Sequence, residues 1–266
     1  MGKNLRVILL IILIAIPIIF YKSLNKRNER SARSLFSNKG ETRYRKPAVA
    51  LIFDDLGESL GDLRELYSLG IPITVAVIPN LKFSKNIAHI ASRCGFSVFI
   101  HLPLEPSEGV TFKTHKYRFV SGDLSRREII STLRQYLNSL RIAIGVNNHM
   151  GSKATEDSDL MKIVLSELKK RNLVFVDSRT SLESIAYDQA RRQGLICGYN
   201  EGFLDAVDDI GEIQKRVNGL IAKAKEKGKI IVIAHPRKNT IKFLKEKLPA
   251  LKKEVEFITI KEYFDL

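Results

Sequence analysis

Cysteine is nearly absent: the 266 residues hold two, Cys94 and Cys197, with no second thiol at metal-ligand spacing. A thiolate metal centre is therefore excluded, and both read as ordinary packed thiols at the edges of elements. Acidic residues are in deficit, 29 Asp and Glu against 44 Lys and Arg, for a net charge of +15. No repeat or low-complexity tract interrupts the chain. Long apolar runs are scarce as well. The one that stands out, Val7–Tyr21 behind Lys3 and Arg6, falls short of the roughly 20 residues of a full span. Neither a small-x-small cleavage site nor a lipid-acceptor cysteine follows it, so residues 1–21 read as an uncleaved signal-anchor.

The positive charge is unevenly spread. Residues 22–46 hold nine Lys and Arg against Glu29 and Glu41, and Lys3 and Arg6 lie before them, which leaves +6 for residues 47–266. Most of the excess thus lies outside the domain that follows. A basic, disordered linker beside a membrane accounts for it, and no nucleic-acid partner is implied. The positive-inside rule would keep the more basic C-terminal flank in the cytoplasm. A charged start followed by an apolar run marks export, and we expect an inner-membrane anchor with the domain in the cell envelope.

From residue 47 to 266, apolar strand-like runs alternate with helix-like segments, enough for one substantial core. Strands are expected at Val49–Phe53, Ile73–Ile78, Ser97–Ile100, Ala143–Val146, Leu173–Val176, Ile230–Ala234 and Val255–Thr259, with a weak one at Leu195–Tyr199. Helices are expected between them, including one opened by the capping box Ser125–Glu128, one near Leu182–Gln193 and one that Thr240 caps. Such alternation implies right-handed crossovers and a mainly parallel sheet. Seven or eight strands favour an α/β fold, a distorted (β/α) barrel of about seven parallel strands behind the hydrophobic anchor.

The stretch Val49–Gly57 (VALIFDDLG) organises the rest. Five apolar residues end in two adjacent carboxylates, which repel unless a proton or cation separates them. The same happens at the other strand ends: Asn80, His101, Asn147-Asn148-His149, Asp177-Ser178-Arg179, Asp205 and His235. In parallel β/α folds those ends converge on one face, so these residues form one polar pocket. Imidazoles with a carboxylate suit Zn²⁺, and Fe²⁺, Co²⁺ or Ni²⁺ take similar ligands. With three protein ligands a fourth position stays open, and the second carboxylate can take a proton from water. An aspartate-nucleophile phosphatase would want its second carboxylate at position 56, which is Leu. A glycoside hydrolase built on Asp54, Asp177 or Asp205 leaves three strand-end histidines unused.

The segments ALIFDDLG (50–57), TVAVIPN (74–80), FIHLPLEP (99–106), GVNNHMGSKAT (145–155), FVDSRTS (175–181), GFLD (202–205) and IAHPRKNT (233–240) together resemble the divergent polysaccharide deacetylases. The resemblance implies N-deacetylation of amino sugars on a distorted barrel and a glycan substrate. It also implies a divalent metal, zinc first, with Asp54 as base, Asp55, His101 and His149 as metal ligands, and His235 as acid. Asn80, Asn148, Asp177, Arg179 and Asp205 are left to bind or orient the substrate. The superfamily's pair of histidines four residues apart is missing, so His101 and His149 must serve from two strands. Where the branch carries Arg-Asp before Phe-Leu-Asp, this chain has Asn200-Glu201 and then Gly202; Arg179 is the substitute expected to orient the base. Both departures feed the alternative, a non-catalytic envelope scaffold or glycan-binding protein. No feature specifies an oligomeric state.

Overall fold

A computed structural model describes residues 44–107 and 117–266. The anchor at 1–21 and the linker as far as residue 43 lie outside the described residues. Among the described residues, no helix is long and apolar enough to cross a membrane.

Among the described residues there are eight parallel strands: β1 Ala48–Leu56, β2 Thr74–Val77, β3 Ser97–Leu104, β4 Gly145–Met150, β5 Val174–Asp177, β6 Cys197–Phe203, β7 Lys229–Ala234 and β8 Glu256–Ile258. The first seven close into a barrel, because β1 pairs with β7 on one side and with β2 on the other. β8 lies beside the lower half of β1 (Ala48–Ala50), and β2 pairs with its upper half from Ile52 onward. A nine-residue strand thus has room for both neighbours along one edge. Helices α1 Leu60–Tyr67, α2 Ser84–Arg93, α3 Arg126–Ser139, α4 Ser158–Lys169, α5 Ala186–Arg192, α6 Ile210–Lys227 and α7 Lys238–Glu254 follow β1 to β7 in turn, and α8 Ile260–Phe264 follows β8.

The barrel is packed, not hollow. Gly145 on β4 stands opposite Phe99 on β3, and a Cβ there would come within 2.4 Å of the Phe99 ring. The absent side chain is what lets a fully buried phenyl ring in. Outward-facing Val, Leu and Ile of the strands meet the apolar stripes of the helices in one continuous core.

Several expectations need correction. The weak strand at 195–199 runs instead from Cys197 to Phe203, and it is bulged: three steps along β6 (Asn200 to Phe203) match two along β7 (Ile231 to Ile233). The Asn200 side chain fills the gap, accepting from the Gly202 and Ile233 amides. Such an interruption breaks the alternation by which a strand is read. Helix α5 starts at Ala186, not Leu182, since residues 178–185 form a turn held by Asp177. Thr240 caps nothing. α7 begins two residues earlier, and the Thr240 hydroxyl donates to Asp205 at 2.7 Å. Cys94 is exposed at the end of α2, while Cys197 is half-buried, and both are free thiols.

Candidate metal and catalytic site

β1 sets the site. Between Phe53 and Leu56 it takes three steps while β2 takes two, which places one extra residue at Asp54–Asp55. Asp55 there has φ +63°, a left-handed conformation that costs most residues about 1–2 kcal/mol and that Asp tolerates better than most. Regular pleating would send neighbouring side chains to opposite faces. The bulge brings both carboxylates to the same end of the barrel instead, Asp54 buried and the Asp55 side chain 41% exposed.

His101 on β3 and His149 on β4 complete the cluster. The His101 Nε2 is 3.2 Å and the His149 Nδ1 2.9 Å from the Asp55 Oδ1, and one donor atom from each of the three residues lies within 4.8 Å of the others. Each imidazole is held through its other nitrogen. Asn147 donates from Nδ2 to the Asp54 Oδ1 at 2.8 Å. Because an ionised carboxylate only accepts, this fixes the amide, whose Oδ1 then accepts from the His101 Nδ1 at 2.9 Å. The His101 Nε2 is thereby turned toward Asp55, donating to it when the ring is protonated and offering a lone pair to a cation when it is neutral. The Tyr117 hydroxyl lies 2.6 Å from the His149 Nε2 and can donate or accept, so it holds that ring in either tautomer. Imidazoles oriented from behind, facing a carboxylate, are the donor set of a divalent-metal site. By that test the residues fit the metal.

His235, at the end of β7, faces the cluster from the other side, its Nε2 3.8 Å from the Asp55 Oδ2. Its Nδ1 and backbone amide both bond to Asp205, at 2.8 Å each. Arg237 in turn holds the Asp205 carbonyl at 2.7 Å. The Phe203 ring stacks on the imidazole, 6.0 Å between centroids and 13° from parallel.

The electrostatics separate the two aspartates. Burial pushes the Asp54 carboxyl up to about 6 against the pull of His101 and His235. Burial would raise Asp55 too, but the hydrogen bonds from His101 and His149 hold it far below the usual carboxylate range. Burial would lower His235, yet the bond and charge of Asp205 outweigh it and keep the ring protonated more readily than a free imidazole.

Comparison with known proteins places this geometry. The model of the divergent polysaccharide deacetylases matches residues 51–264. The chain belongs to the divergent polysaccharide deacetylase family. A protein of Haemophilus influenzae called only "uncharacterized" is 30% identical over 215 residues, 81% of this chain and 76% of that one. Among solved structures, an uncharacterized protein of Agrobacterium tumefaciens C58 shares the fold at TM-score 0.76 and 19% identity, covering 83% of this chain and 90% of its own. The catalytic domain of a peptidoglycan N-acetylglucosamine deacetylase from Eubacterium rectale does so at TM-score 0.50 and 15% identity, covering 84% and 93%.

Within this member of the divergent polysaccharide deacetylase family, the other residues singled out from the sequence fall into distinct settings. Asp205 touches His235. Asn80, with φ +64°, stands exposed on the rim of a cleft that Tyr117, Arg118 and Tyr136 also line. Asn148 points away from Asn147. It donates to the Met150 carbonyl and accepts from the Ser178 amide. Asp177 is engaged by the Arg179 amide and by Ser184. The Arg179 guanidinium lies 4.2 Å over the Tyr199 ring. The group that orients Asp54 is thus Asn147, not Arg179. Asn147, Tyr117 and Phe203 are the contacts that sequence reasoning missed. Asn147 stood among the strand-end residues without a role, and no sequence pattern marks Tyr117. At the departure from the branch pattern, Asn200 fastens the β6 bulge, and Glu201 pairs with Lys227 at 2.6 Å.

Proposed function

We propose that this protein is a metal-dependent hydrolase that removes N-acetyl groups from an envelope polysaccharide. The observation that carries the reading is the placement of Asp54 and His235 on either side of the Asp55–His101–His149 cluster. Asp55, His101 and His149 would hold the metal, zinc first among the candidates. Such an ion polarises the acetyl carbonyl and makes a bound water more acidic. Asp54, beside the cluster and held by Asn147, takes a proton from the attacking water. His235, kept protonated by Asp205, delivers one to the amine as it leaves. The acid and the base are separate groups with opposite charge preferences, as hydrolysis of an amide requires. The two imidazoles come from neighbouring strands, so a pair on one helix turn is not needed to present them. The E. rectale protein named as a peptidoglycan N-acetylglucosamine deacetylase supports the class of chemistry, since its catalytic domain shares this fold.

The test is metal analysis with an assay of acetate release from N-acetylated glycans. The parent should hold about one divalent ion per chain and release acetate. His149→Ala should lose the ion, because two remaining ligands hold it poorly, and His235→Ala should keep it. An unchanged metal content in both His101→Ala and His149→Ala would sink the assignment. A metal-loaded parent that releases no acetate from any envelope glycan would make the protein a scaffold or glycan-binding module.

A further inference from the structure

The +6 of residues 47–266 is not spread around the barrel. Helix α6 holds five Lys and Arg against two Glu, and α7 holds six Lys against two Glu. Two neighbouring helices therefore carry +7, and all the rest of those residues together carry −1. On the far side of α7 from α6, a cleft of 620 Å³ opens against α1, lined by Pro236, Ile241 and three lysines, Lys238, Lys242 and Lys245, against two carboxylates, Glu65 and Glu246. Pro236 follows His235 directly, so the cleft leads away from the candidate site.

Three of these lysines, Lys238, Lys242 and Lys245, follow one another along one face of α7 at helical spacing. Like charges four residues apart oppose helix formation, and no acidic residue stands in the first turn to offset them. Lys245 is held by Glu65 at 2.5 Å. Lys238 and Lys242 are exposed, and among the described residues neither has an ion-pair or hydrogen-bond partner. Between them Ile241 and Pro236 offer an apolar floor of the sort that receives the C–H face of a sugar ring.

We propose that the α1–α7 cleft binds an acidic polysaccharide, seating the charged sugars that flank the N-acetylated one on Lys238 and Lys242. This rests on the deacetylase reading and narrows its substrate from glycans in general to acidic ones. A lysine ammonium is a point charge on a flexible stem, suited to a repeating anion that slides along the cleft, not to one fixed geometry.

The experiment uses the full chain in detergent, metal-loaded, with two probes of equal length: a neutral N-acetylated chito-oligosaccharide and a polymer alternating N-acetylhexosamine with a uronate. The parent should prefer the uronate polymer in kcat/KM, and added salt should erode that preference. Lys238→Glu with Lys242→Glu should cut the acidic-to-neutral ratio at least tenfold, through KM. Lys162→Glu with Lys215→Glu makes the same change in net charge away from the cleft and should leave the ratio within twofold. An unchanged ratio in the cleft variant, or an equal loss in the distant one, overturns the proposal. Direct binding of the uronate polymer separates this from the deacetylase reading. If the parent binds it and the cleft variant does not while neither releases acetate, the cleft stands and the catalytic reading falls. If the cleft variant binds polymer like the parent but loses a preference for phosphatidylglycerol over phosphatidylcholine vesicles, the partner is a lipid surface and the proposal fails.

Discussion

At the residue scale, Asp54 and Asp55 show how two identical side chains acquire different chemistry from one bulge. Asp55 meets two imidazoles and stays ionised, while Asp54 is buried against an amide and its carboxyl rises to about 6. Asp54→Asn keeps the acceptor that Asn147 needs but cannot take a proton. It should retain its metal while acetate release falls by about 10²–10⁴. The pH profile should be bell-shaped. On the acid side, rate rises as Asp54 deprotonates, at or below about pH 6 because a bound cation favours the carboxylate. On the alkaline side it falls as His235 loses its proton. Asp205→Asn removes the charge that raises His235, so the alkaline limb should move down by about one pH unit or more with the acid limb in place. An alkaline limb that stays put would show that His235 does not set it.

At the element scale, the site depends on how the ends of β3 and β4 are tied together. Glu105, just past β3, accepts from Lys153 at 2.7 Å, Ser121 at 2.7 Å and the Gly122 amide at 3.2 Å. Burial would raise its carboxyl, but these bonds outweigh it and hold it below the ordinary range. A carboxyl depressed by folding stabilises the protein above its unfolded pKa, and that stability drains away as pH falls through the folded value. Glu105→Gln should therefore lower the melting temperature at pH 7 by about 3–6 °C. The gap to the parent should close as pH falls below that of a free glutamate. A gap that stays constant from pH 7 to pH 3 would mean the carboxylate charge contributes nothing. The capping box at Ser125 and Glu128 was legible because it is a local pattern, and it forms as read. The start of α7 was not, because Thr240 is drawn from capping into the bond with Asp205, 35 residues away in sequence.

At the scale of the whole molecule, the N-terminal sequence bears on where the barrel is placed. The apolar run Val7–Tyr21 behind a charged start argues for export, and the basic flank argues against it. We propose that the barrel lies in the cell envelope. A reporter that is active only outside the cytoplasm, fused after residue 46, should be active; cytoplasmic activity of a matched reporter would reverse the topology. The barrel itself, with its strand ends gathered on one face, needs no second domain to assemble the site.

The sequence by itself determined that strands and helices alternate, that the strands run parallel, and that Asp and His stand at their C-terminal ends. These follow from apolar runs, caps and crossover handedness, all of which are local or nearly so. Only the tertiary structure decided which side chains meet. β4 is buried on both faces, so no polar alternation phases it, and nothing in Asn147-Asn148 tells which amide faces inward. The bulge that turns Asp54 and Asp55 to the same end arises from pairing with β2, some twenty residues on. Closure of β1 against β2 sets His101, His149 and His235 around one carboxylate, and such distances between strands belong to the closed barrel and to no single stretch of the chain.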